Sequence, residues 1–517
     1  MSSNIVLLVF LFSILIIASG MKVAIIGGGV SGLSCARTLN SQAPTISYTL
    51  FDTGKRNVGG RCSSREVVID GEKIIIDHAA QYIRLNSQSH QVFRDFVTNS
   101  VKNGALIEFN PQFIGQIDGN VQQETIQEKK CESQLSMNYV SPLGMGHFTR
   151  ENLMESLVSE EIKQDVWINK LVKKGSTKWN VYGKGEFYGE YDKIIIAHNG
   201  KCADRLVSSV SGKVPAIHER LKVNFGPNVK NMRKMHLCSL FVLAFVVPVG
   251  SIPIGSRDYH NGQYAFNIKP TASVANNDHG NISKLTWICN TSKKINAANG
   301  KYESWTLIST KEYAAENKVP QEAIPQEDES RITHELLSDF QKCMGLSSIM
   351  NDIKFSKLQL WGAAIPLNRL NCPFIYDGKE GIGVCGDWFD TQSEIGPSIE
   401  TAFMSGHLLA QHIISSGTTD AYIKDNQHCY EAIVDQNSLG DVDVNLDEAS
   451  AETSREIKRG PLLNPLEYAA SVKANHLRRR PSLSYKDGSK KGKDDSSKGS
   501  RSRRGMDQGV ARNNGKR

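Results

Sequence analysis

A chain of 517 residues with 39% apolar and 22% charged content is too long for one compact core and has the composition of a soluble globular protein of two or more domains. Its formal net charge of +7 is a property of the tail. Residues 473–517 carry an excess of 11 positive charges, which leaves the rest at −4 and excludes a generally basic body. Ten cysteines without a C-x-x-C pair exclude a zinc ribbon or dithiol motif, and in a chain this long they do not form a disulfide framework.

In chain order, residues 5–18 (IVLLVFLFSILIIA) are uncharged and apolar, and Ala18, Ser19 and Gly20 follow. That length suits the core of a secretory signal and falls short of the ~20 residues that span a bilayer. Residues 1–20 are therefore expected to be a signal peptide or anchor, directing the chain to the secretory pathway or the extracellular space. The sequons at Asn281 and Asn290 fit that route. Residues 23–26 read as a buried strand, 31–39 as a helix and 47–51 as a second strand, a βαβ opening. A strand at 74–76, a helix at 91–101, a hairpin over 166–181 turning at Gly175-Ser176 and a buried strand at 193–197 follow. The stretch 205–375 mixes strands such as 240–247 with helices such as 331–344. Residues 381–388 read as a strand ending in a polar turn, and 398–414 as a closing helix. Beyond about 435 the pattern dissolves into an acidic and then a basic, Ser- and Gly-rich segment, expected to be disordered.

Gly27-x-Gly29-x-x-Gly32 lies between the first strand and the first helix. Gly27 permits the tight turn, Gly29 admits a pyrophosphate to the backbone, and Gly32 lets helix and strand pack closely. Val30 and Ser31 begin a helix whose free amides face negative charge. Asp52 ends the second strand 20 residues after Gly32, placed to accept from ribose hydroxyls. A carboxylate there repels a 2′-phosphate, so the loop holds a dinucleotide other than NADP.

After Asp52 come GGRCSSR (59–65), DHAAQY (77–82), AHNGKCADRL (197–206), LQLWGAAIP (358–366), CGDWF (385–389) and a helix carrying Glu400, Ala402, Ser405 and Gly406. In this order the set resembles the flavin-containing amine oxidase superfamily, most closely its renalase-like branch, over about residues 21–416. The resemblance implies an α/β fold with a discontinuous Rossmann-type FAD-binding domain (21–95, 150–205 and 375–416). A mixed α+β substrate domain (96–149 and 206–374) is inserted between its pieces, and 417–517 form a C-terminal extension. It implies FAD as cofactor, with Asp52 on the adenosine ribose and Gly60 and Arg61 along the pyrophosphate–flavin side. Val172 would touch adenine through its backbone, and Asp387, with Trp388 beside it, would take the ribityl or phosphate region. The helix start at Ile399 would point its amides at the flavin N1–C2=O edge, where they favour the reduced anion.

Ala79 stands where the family usually has Gly, which would be strained at positive φ. Trp361 is a candidate neighbour of the isoalloxazine ring. No catalytic residue and no metal ligand is assigned. The implied activity is hydride transfer from a small donor, a dihydronicotinamide isomer or an amine, with O2 reoxidising the flavin to give hydrogen peroxide. The alternatives are a polyamine oxidase and a non-catalytic interaction protein with a basic tail. That tail is suited to weak contact with an anionic membrane, and its lack of aromatics beyond Tyr485 argues against nucleic acid.

Overall fold

Burial organises the opening strand: β1 (Lys22–Ile26) has Val23, Ala24, Ile25 and Ile26 all inaccessible to solvent. Such two-sided burial marks the interior of a parallel sheet. The computed structural model describes residues 20–118, 137–155, 157, 161–210, 215–230, 232–252, 263–269, 283–295, 300–391, 396–422 and 430–432. The expected signal segment (apart from residue 20), the Asn281 sequon and the basic tail lie outside them.

From β1 the chain passes through α1 (Val30–Gln42) to β2 (Ser47–Phe51), which pairs in parallel with β1 from Lys22↔Ser47 to Ile26↔Phe51. β3 (Ile162–Lys163), β4 (Lys193–Ile196), β5 (Ile375–Asp377) and β6 (Ile382–Val384) complete a six-stranded sheet in the order β5-β6-β4-β1-β2-β3. Every pairing is parallel except β5 with β6, at the edge.

The closing helix, α2 (Ile399–Ser416), packs directly on α1. A Cβ on Gly406 would lie 2.0 Å from the Ser31 carbonyl oxygen, so the two backbones touch there and only glycine fits. Ser34 Oγ donates to the Phe403 carbonyl at 2.8 Å, and Thr38 Oγ1 lies 2.9 Å from His407 Nδ1.

A second sheet is centred on the 14-residue strand Met235–Pro248. Alternate side chains of this strand meet different partners. Phe241, Leu243, Phe245 and Val247 pack on Ile332, Leu336 and Phe340 of the helix Gln326–Met344. Ala244 and Val246 instead meet Ile74 and Ile76 of the strand Glu72–Asp77. Both faces are covered, which is why this stretch is an unbroken apolar run.

A fully buried ion pair ties the strand Glu72–Asp77 to the second sheet. Lys294 Nζ lies 2.8 Å from Asp77 Oδ2, with both side chains at 0% exposure. The same ammonium donates to the Gln81 carbonyl at 3.0 Å and to Gln81 Oε1 at 3.1 Å. Asp77 Oδ1 accepts from Ser64 Oγ at 2.5 Å and from the Met145 amide at 2.8 Å.

Two sequence expectations need revision. Ala79 is not among the residues with positive φ, so the Gly-to-Ala exchange carries no backbone strain. Asn290 is fully buried, its Nδ2 donating to Glu303 Oε2 at 2.9 Å and its Oδ1 accepting from the Lys293 amide at 3.0 Å. The folded chain therefore offers no glycan acceptor at that sequon. Asn368 and Arg369, which follow the strand end at Pro366, are each held by a partner away from the cavity. Asn368 Oδ1 accepts from the His236 amide at 2.7 Å, and Arg369 pairs with Asp390 at 3.3 Å.

Candidate dinucleotide and donor site

The glycine loop opens at the carboxyl end of β1. Gly27 takes φ +119° and its amide donates to the Phe51 carbonyl at 2.8 Å, so the loop turns sharply against β2. A Cβ on Gly32 would stand 1.9 Å from the Gly27 carbonyl oxygen, which enforces glycine for close helix–strand packing. Gly29 differs: a Cβ there would meet nothing within 4 Å, and no side chain caps the helix it begins. The first-turn amides of α1 thus face open space, the arrangement that receives a phosphate.

Asp52 is fixed rather than loose. Its Oδ1 accepts from the Gly28 amide and its Oδ2 from the Gly54 amide, each at 3.1 Å. Burial pushes its carboxyl above the usual range, and the Gly28, Gly54 and Thr53 amides pull it back. Each oxygen keeps lone-pair capacity for a ribose hydroxyl.

A cavity of about 340 Å³ runs from this loop, within the roughly 300–1,000 Å³ range of ligand and cofactor sites. Gly27, Gly29, Val30, Ser31, Asp52, Gly60, Arg61, Asp387 and Ile399 all line it. Arg61 and Asp387 form a two-pronged pair, Nη1 to Oδ2 and Nη2 to Oδ1 at 2.7 Å each, while Nη1 also donates to the Ala364 carbonyl at 2.6 Å. The arginine expected along the phosphates is thereby locked to the acid 326 residues away. Ser398 caps α2 by accepting from the Thr401 amide at 3.1 Å, so the helix start at Ile399 is ordered at the cavity wall.

Val172 and Trp388 do not line the cavity. The hairpin strand Lys170–Lys174 pairs Val172 with Asn180, and the segment just before it, Trp167, Ile168 and Asn169, reaches the cavity instead. Trp388 is buried against Phe389, ring centroids 4.0 Å apart. Gly32 also stays behind the wall, serving packing.

The opposite wall comes from the second sheet and its neighbours. Trp361 lines it and donates to the His78 carbonyl at 3.2 Å, while His78 Nε2 lies 2.9 Å from Ser63 Oγ. Tyr82 lines the cavity as well and packs on Trp287, centroids 6.0 Å apart. Sequence reasoning missed Arg84, and it gave no role to His198 or Asn199. Asn199 caps the helix Gly200–Ser208 by accepting from the Cys202 amide at 3.1 Å, and His198 and Arg84 both line the cavity. The signal for Arg84 was local: one charged residue between apolar Ile83 and Leu85.

Burial pushes His78, His198 and His407 down to about 4, with Arg65 adding to the effect at His78 and His90 at His407. The unfolded chain protonates histidine near 6.5. Between about 6.5 and 4 it therefore binds more protons than the folded chain, and stability falls as the pH falls through that window. Thermal melts at steps across it should show this decline, and His407→Gln should flatten it. A melting temperature that is level from pH 6.5 to 4.5 would contradict the assignment.

The parallel sheet, the glycine loop and the acid after β2 define a Rossmann-type dinucleotide-binding fold. Residues 25–98 match the family model described as the NAD(P)-binding Rossmann-like domain. Among solved structures, the chain is similar to a candidate protoporphyrinogen oxidase from Exiguobacterium sp. 255-15, at 12% identity and a TM-score of 0.52, covering 76% of this chain and 99% of that one. Two redesigned putrescine oxidases are also similar, at 12% and 11% identity, with TM-scores of 0.47 and 0.42 and the same coverage. At 12% identity the likeness to the first of these is one of fold.

Among the described residues no group of three or more His, Cys, Asp or Glu side chains is arranged to hold a metal ion. No helix among them is long and apolar enough to cross a membrane.

Proposed function

We propose that the chain is an FAD-dependent oxidoreductase that takes a hydride from a small donor, with O2 as the final acceptor and hydrogen peroxide as product. The observation that carries this reading is the convergence of separated segments on one cavity: the glycine loop, Asp52, the Arg61–Asp387 pair and the start of α2. The donor set suits the cofactor. Uncapped amides at α1 suit a pyrophosphate, the fixed Asp52 suits an adenosine ribose, and a second helix start suits the electron-rich edge of a flavin.

Bound there, FAD supplies the hydride acceptor and the reaction with O2. The protein's share is to orient the donor against the wall of Tyr82 and Trp361 and to exclude water. The buried Asp77–Lys294–Gln81 group holds the segment carrying Ala79, Ala80 and Tyr82 in place. The motif set favours a dihydronicotinamide donor of the renalase-like type over an amine. The name of the first solved structure, a candidate protoporphyrinogen oxidase, is that of an oxidase and agrees with the general class. A secretory route, set by residues 1–20, remains part of the same proposal.

Purified protein should be yellow with one FAD per chain. Anaerobic addition of the correct donor should bleach the band near roughly 450 nm, and oxygen should restore it with release of peroxide. Dihydronicotinamide isomers, NADH, NADPH and a panel of amines form the test. Reduction by amines alone would move the donor to an amine, and folded protein that neither holds nor takes up FAD would defeat the proposal.

A further inference from the structure

We infer that the donor carries an anionic group, a carboxylate or a phosphate, and that Arg84 is the side chain that binds it. This rests on the oxidoreductase reading for the word donor, but the anion site stands on its own geometry.

Arg84 lies in the short strand Ile83–Leu85, whose other two residues are buried in the core. Alternation turns Arg84 to the other side, where it lines the cavity beside Tyr82. Its guanidinium sits 5.6 Å from the Tyr82 ring centroid, and Nη2 donates to the Tyr82 hydroxyl at 3.0 Å. These contacts orient the group without neutralising it. Its Nε is buried with no hydrogen-bond partner, and no carboxylate pairs with it among the described residues.

The acids of the cavity are engaged elsewhere. Asp52 is held by backbone amides, and Asp387 is paired with Arg61. Glu400 accepts from the His90 amide at 2.6 Å and from Ser89 Oγ at 2.8 Å. Glu322 lies near Cys202, in the first turn of the helix Gly200–Ser208. The wall by Tyr82 therefore presents one pre-oriented cation with donors to spare. Arg84 is half-buried with its Nε buried and unpaired, and a cation so placed gains from an arriving counter-charge. The fork of a guanidinium matches a carboxylate or phosphate through parallel hydrogen bonds. A protonated polyamine meets repulsion at the same place.

The full chain, purified as it folds, is titrated calorimetrically with benzoate in one arm and nicotinamide mononucleotide in the other. Saturable binding of benzoate identifies a carboxylate site, and binding of the nucleotide alone identifies a phosphate site. In either case Arg84→Met should weaken binding on the order of 10–100-fold, the loss typical of a charged hydrogen bond, and Arg84→Lys should recover part of it. Arg84→Gln, which keeps a donor for Tyr82, replaces Arg84→Met should the latter not fold. Absence of binding in both arms, or equal binding by wild type and the uncharged variant, overturns the inference. Flavin content of the same samples separates the two readings. Flavin-free protein that binds anions through Arg84 defeats only the oxidoreductase proposal. Flavin-loaded protein reduced by a donor whose affinity ignores Arg84 defeats only this inference.

Discussion

Replacing Lys294 by Ala is expected to lower the unfolding free energy by about 3–5 kcal/mol, the cost of stranding one partner of a buried ion pair. Asp77 would be left at 0% exposure, retaining Ser64 Oγ and the Met145 amide but no opposite charge. Gln81 would lose the cation that ties its carbonyl and side-chain oxygen to the second sheet. A double variant, Lys294→Met with Asp77→Asn, removes both charges while keeping an acceptor for Met145, and should recover most of the loss. Urea titrations of the two proteins against wild type measure it. A single variant within about 1 kcal/mol of wild type, the range of an exposed pair, would show that the ion pair is not the constraint described.

The second large effect separates folding from binding at two glycines of one loop. Gly29→Val should leave the flavin-free protein within about 0.5 kcal/mol of wild type, as at sites without packing constraints. Its backbone (φ −75°, ψ 179°) is open to any residue, and a Cβ meets nothing within 4 Å. Dinucleotide affinity should nonetheless fall at least about 100-fold, or roughly 2.7 kcal/mol, because the branched side chain occupies the approach to the α1 amides. Gly32→Val should do the reverse and destabilise the fold itself, since its Cβ would stand 1.9 Å from the Gly27 carbonyl oxygen. Melting curves with and without added FAD distinguish the two variants. Wild-type affinity in Gly29→Val would mean that the phosphates do not approach here.

Local pattern made the βαβ unit legible. A four-residue apolar run, three spaced glycines and an acid after the next strand each act within a few residues of their neighbours, and the strand and helix bounds follow from them. The strands expected at 193–197 and 240–247 and the helix at 398–414 were readable for the same reason. Features set by distant partners were not legible. Nothing around Lys294 announces that its partner is Asp77, and nothing in Asn290-Thr-Ser distinguishes a buried helix cap from a surface sequon. Val172 was implied only by the resemblance, and the hairpin's entry at Trp167, Ile168 and Asn169 lines the cavity instead, a matter of how the hairpin is seated. Arg84 was visible only as a charge in an apolar triplet, and its meaning depends on acids brought near from the rest of the chain and already occupied.

The pairing of β1 has a temporal consequence. This strand leaves the ribosome well before two of its partners: one of its two neighbours, β4, is joined from Val23↔Lys193 onward, and β4 in turn awaits β6 at Ile194↔Ile382. The helix α2, whose Gly406 backbone abuts Ser31, comes later still. Such a connectivity makes contacts of high sequence separation obligatory and folding correspondingly slow. The nascent glycine loop is thus formed long before its far wall exists, so a dinucleotide can be captured whole only after residue 416 has been made. Capture of a whole dinucleotide in this architecture waits for α2, and chains that stop short of α2 present the loop without the pocket.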